Sequence, residues 1–122
     1  CSPIFQKVMR KTIKTIFDYM GKNSIMIHHV DFRDHRRIFN NKYNEWSFLC
    51  ENDAYKDKMC NMLRVYEMQQ IIEHVGFKVL DIIRTKQSIP SRIYKKISNQ
   101  YKNMSRDDLE TMQGVFIIRK DI

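Results

Sequence analysis

Glycine and proline are scarce in this chain, with 3 Gly and 2 Pro in 122 residues. So few chain-breakers exclude a disordered or low-complexity polymer. Cysteine is also rare, at Cys1, Cys50 and Cys60. An odd count with no close pair argues against a disulfide scaffold and for a reducing compartment, which makes the expected location cytoplasmic. The absence of any Cys-x-x-Cys pair removes the common zinc signature. No apolar run approaches the roughly 18 residues of a membrane span. The opening Cys1-Ser-Pro-Ile-Phe-Gln-Lys7 holds no long apolar core of a signal peptide. It does not start on Met, which suggests a chain processed or cut from something longer. No segment repeats at a fixed period.

What is present suits one domain spanning residues 1–122. Apolar residues make up 43% and charged residues 30%, enough for a packed core and a soluble surface. The net charge is +8, from 22 Lys and Arg against 14 Asp and Glu. The cations are spread along the chain, from Lys7, Arg10, Lys11 and Lys14 to Arg33, Arg36 and Arg37, then Lys95, Lys96 and Lys102. Such a balance attracts nucleic acid or phosphorylated molecules, or merely solvates the surface. No nucleic-acid motif accompanies it.

Hydrophobic spacing predicts the elements. Phe5, Val8, Met9, Ile13, Ile16, Phe17 and Met20 fall on one face of a helix over 3–20, with Ser2 as cap and Gly21 as its left-handed stop. Residues 24–30 read as a strand whose Ile25-Met-Ile27 run does not alternate, which predicts burial on both faces. A polar loop over 31–46 follows, then helices over 54–62 and 65–75. The strand over 77–83 begins at Gly76, where the preceding helix stops. Helices over 92–101 and 105–110 and a last strand over 114–119 complete the chain. Each of the three glycines is thus assigned to an element end. The order predicts an α/β chain with a partial, three-stranded sheet flanked by helices. A buried first strand needs neighbours on both sides, and the chain offers one; its other edge would be bare.

The densest chemistry is Ile25-Met-Ile-His-His-Val-Asp-Phe-Arg-Asp-His35, where three histidines and two aspartates arrive within eight residues of a strand end. Open α/β sheets bind ligands beyond the carboxyl ends of their strands. His28, Asp31, Asp34 and His35 are therefore candidate catalytic residues, able to take a proton from a hydroxyl or amine near neutral pH. The competing reading has Asp34 capping a turn and His35 packing in the loop. Arg64 is a candidate clamp for an anionic substrate group, or else a surface or helix-end arginine. Tyr43 and Trp46 are candidate substrate-binding lid residues, or else anchors of the loop. His29-Val-Asp31 also spells two ligands of an iron triad, but the remaining histidine, His74, falls on a helix. Zinc held by His28, His35 and an aspartate ranks above iron but is also a minor option, so no metal is expected.

The sequence order of helix, strand, His28-His-Val-Asp31-Phe-Arg-Asp34-His35, Phe48-Leu49, Asn61-Met-Leu-Arg64, helix, Gly76-Phe77 strand and closing Gly114-Val-Phe-Ile strand resembles the C-terminal half of class I S-adenosylmethionine-dependent methyltransferases. The likeness covers nearly the whole chain in element order and is greatest to members acting on small molecules or glycan precursors. It implies a Rossmann-like sheet in which the three strands stand for the fifth, sixth and seventh, the last inserted antiparallel between the other two. It also implies S-adenosylmethionine as cofactor of the complete enzyme. That family cradles its cofactor on a Gly-rich turn in its first half, and this chain has no Gly-x-Gly. The expectation is a substrate-side part with no cofactor-binding residues, inactive alone. Its partner would be a missing N-terminal half, or a second copy joined through the open sheet edge. The alternative is a free-standing basic α/β module that binds RNA or a partner protein.

Overall fold

The fold is taken from a computed structural model that describes residues 3–51 and 63–122. The expected helix over 54–62, its Asn52/Asp53 cap and Cys60 lie outside the described residues.

The first helix, α1 (Pro3–Tyr19), forms where the apolar stripe predicts it. Ile13 and Phe17 are buried, and Met9 and Met20 pack beside them. Lys120 Nζ donates to the Phe17 and Met20 carbonyls at 2.7 and 2.8 Å, a cation on the negative end of the helix dipole. The left-handed residue that turns the chain is Asn23 (φ 68°), not the expected Gly21. Asn tolerates this conformation through its short polar side chain.

Strand β1 (Ile25–Asp31) follows, then α2 (Val65–Val75), β2 (Phe77–Lys86), the short helices α3 (Ser91–Tyr94) and α4 (Arg106–Glu110), and β3 (Thr111–Lys120). The sheet order is β1-β3-β2, with β3 antiparallel to both neighbours, so β1 and β2 run parallel to each other. α1 and α2 lie together, and α2 packs on β2. Between these helices and the sheet sits one core, in which Leu63, Val65, Met68 and Ile72 meet Val30, Phe77, Phe116 and Ile118. Phe17 meets Phe77 edge to face at 4.9 Å. Gly76 stops α2 at φ 123°, as expected.

Three expectations are corrected. β1 is not buried on both faces: Ile25 and Ile27 are 59% and 71% exposed. The helices cover only the face that carries Met26, His28 and Val30. An apolar run signals burial capacity, not which partner supplies it. Gly114 is not at an element end but inside β3, where a Cβ would come within 3.1 Å of the Phe32 ring. Its role is to admit that ring. The helix expected over 92–101 breaks after Tyr94, because Ser98 is drawn into extended backbone and its N–H donates to the Leu49 carbonyl at 2.7 Å.

That bond belongs to a second cluster at the end of the sheet where β1 and β2 finish and β3 begins. The 3₁₀ turn Ser47–Cys50 contributes Phe48 and Leu49, and the segment after β2 contributes Ile89, Ile93, Ile97 and Tyr101. Leu109 and Met112 close it. The two connections that leave the parallel strands thus build a common cap over the strands' carboxyl ends.

Candidate functional site

Asp31 is the last residue of β1 and shares the uncovered sheet face with Ile27 and His29 by strand alternation. Arg33 grips it from two residues on: the backbone N–H and Nε donate to Oδ1 at 3.0 Å each, and Nη2 donates to Oδ2 at 2.8 Å. His35 Nε2 lies 3.1 Å from the same Oδ2. Burial alone would raise the Asp31 pKa, but the Arg33 and His35 hydrogen bonds outweigh it and hold the carboxyl well below its usual range. An ionised Asp31 can only accept. Nε2 of His35 therefore carries a hydrogen, and in the neutral ring Nδ1 is the acceptor. With 37% of its side chain exposed, His35 is within reach of solvent and of a ligand.

Asp34 faces the other way and is fully buried. Oδ1 accepts from the Arg36 N–H at 3.0 Å and caps the 3₁₀ turn His35–Ile38. The Arg36 guanidinium binds the same carboxylate through Nε and Nη2, at 3.0 and 2.7 Å. It also reaches Glu51 Oε1 at 2.6 Å and stacks 4.2 Å from the Tyr43 ring centre. Its bond to Asp34, reinforced by Glu51, pushes its pKa further above the ordinary arginine value despite partial burial. This network folds the loop back on itself and fixes where His35 starts.

Arg64 is fully buried, neither a surface residue nor an exposed helix-end cation. Its Nε donates to the Leu63 carbonyl at 2.7 Å and its Nη2 to the Phe32 carbonyl. Its guanidinium lies over the Phe32 and Phe48 rings, at 5.3 and 4.7 Å. It ties the exit of β1 to the entry of α2. The first turn of α2 is completed by Glu67, which accepts the Arg64 N–H, and by Asp108 from α4, which accepts the Tyr66 N–H. Trp46 is 3% exposed in the second cluster and Tyr43 is half-buried against Arg36. Both are seated in the loop rather than open above it.

The candidate set is therefore split. Asp31 and His35 are brought together; Asp34 stands behind them in the loop. His28 lies on the opposite face of β1, with Met26 and Val30. Its pKa is lowered by burial and then by the neighbouring His29, which favours the neutral ring. Among the described residues, no three His, Cys, Asp or Glu side chains gather as metal ligands. His29 and His74 stand on β1 and α2 respectively.

Sequence reading missed Arg33, Arg36 and Glu51. The signal was present as a repeated Asp-x-Arg, at Asp31-Phe-Arg33 and Asp34-His-Arg36. No protein-family model matches the chain, and no curated protein matches it.

Proposed function

We propose that the chain is the substrate-side, C-terminal part of a class I S-adenosylmethionine-dependent methyltransferase acting on a small molecule or glycan precursor. The observation that carries the reading is the asymmetry of the two sheet edges. β2 is interrupted by a bulge between Val79 and Asp81 and carries Lys78 and Lys86. β1 pairs with β3 over seven residues in unbroken register, and its other edge carries no bulge, proline or lysine. Beside it, Ile25 and Ile27 are exposed on an uncovered face that also bears Ile83, at 53% exposure. Such an edge and face call for another strand and a covering layer. The sheet order, with an antiparallel strand between two parallel ones, also supports the reading, since the family resemblance implies that arrangement.

Among the described residues, two of the three glycines are closed to a cofactor. Gly76 lies against Phe17 and Gly114 against Phe32, at 3.1 Å each, so neither opens a cradle for a bound ligand. Cofactor contacts are accordingly assigned to the completing half. This chain contributes the acceptor side: His35, oriented by Asp31, receives at Nδ1 the proton of the acceptor hydroxyl or amine. Arg33 keeps Asp31 ionised for that task, and the Asp34–Arg36–Glu51 network keeps the loop in register.

A basic module for RNA gains less support, because Arg33, Arg36, Arg84, Arg106 and Arg119 are each held by a carboxylate. Sedimentation and calorimetry of the isolated chain test the proposal. The expected result is self-association and no heat with S-adenosylmethionine. A stable monomer, whether it binds the cofactor tightly or ignores it, would contradict an incomplete enzyme.

A further inference from the structure

We propose that the cleft between the loop after β1 and α3 binds a phosphoryl group of a small molecule. The inference goes beyond the methyltransferase reading and does not depend on it. The cleft has a volume of about 360 Å³. Lys42 stands on one side, and Arg92 and Lys96 on the other. Among the described residues, none of the three has a carboxylate partner. Several other cations are neutralised locally, as in Lys14–Asp18, Lys86–Asp107 and Arg106–Glu110. Lys42, Arg92 and Lys96 are unneutralised and share one concavity.

The neutral groups add donors. Asn44 Oδ1 accepts from the Trp46 N–H, which leaves the Asn44 amide NH₂ to donate. Ser47 Oγ accepts from the Asn44 N–H, which leaves its hydroxyl hydrogen free to do the same. The acceptors are spoken for. Glu51 is held by Arg36 at 2.6 and 3.1 Å. The Cys50 thiol, raised by burial against the opposing pull of Lys96, stays protonated at neutral pH and contributes no negative charge. Three cations and two neutral donors around one cleft match a phosphoryl dianion, whose oxygens accept from several directions, better than a single carboxylate.

The test is calorimetry of the 122-residue chain with inorganic pyrophosphate at fixed ionic strength, with acetate as the weak comparison. Saturable one-site binding is expected, with affinity at least tenfold lower in the double variant R92Q/K96Q and unchanged in K102Q. All these side chains are exposed, so the thermal midpoints of the variants should match the parent and exclude misfolding. Pyrophosphate binding that is absent, or indifferent to R92Q/K96Q, would overturn the proposal. So would binding of a single-stranded oligonucleotide with pyrophosphate silent, which points to nucleic acid instead. None of these outcomes bears on cofactor binding or self-association.

Discussion

Arg64 and His28 show how burial reassigns a polar residue. Arg64→Met keeps the length of the side chain but removes the donors to the Leu63 and Phe32 carbonyls. The Phe32 carbonyl then loses a charged partner, and the variant is expected to be less stable by about 2–3 kcal/mol in denaturant unfolding. Loss of less than about 0.5 kcal/mol would place the weight of this junction elsewhere. His28 makes a prediction in pH. Its folded pKa is lowered from 6.5, so the unfolded chain binds the proton more readily. The stability it contributes is present above 6.5 and is lost as pH falls through that value toward the folded pKa. The thermal midpoint should therefore drop between pH 7 and pH 5, and His28→Gln should flatten that slope. The sequence made the residue types legible here, and the strand-end position of Asp31 and His35 as well. It did not reveal that Arg64 binds a carbonyl 32 residues away, because that pairing exists only once the connections pack.

At the scale of elements, periodicity identified α1, α2 and β2 because their burial patterns are local and regular. It failed where tertiary contacts override propensity. The segment over 92–101 keeps helical spacing, and Ile93, Ile97 and Tyr101 are all buried, yet the Ser98–Leu49 hydrogen bond divides it. The Ile25-Met-Ile27 run signalled a strand but not its exposed face. This face yields a direct prediction. Ile27→Lys adds a charge to a side chain that is 71% exposed, so the unfolding midpoint should barely move. Sedimentation of the same variant should shift toward monomer, since a lysine beside the edge opposes strand addition. An unchanged sedimentation profile would place any association on another surface.

For the whole molecule, three features meet at one end and one side of the sheet. The Asp31–His35 pair and the basic cleft belong to the cap over the carboxyl ends of β1 and β2, where open α/β sheets hold their ligands. The bare β1 edge and its exposed isoleucines lie on the side where the proposed completing strand would add. Element order was legible from the sequence. The convergence of the 31–51 and 87–110 connections was not, because it depends on contacts between segments far apart in the chain. The most direct measurement is equilibrium binding of radiolabelled S-adenosylmethionine, made in parallel on the isolated 122-residue chain and on any assembly that co-purifies with it from its source. Retention by such an assembly and none by the isolated chain is expected. Tight binding by the isolated chain, or an assembly that retains no cofactor, would contradict it.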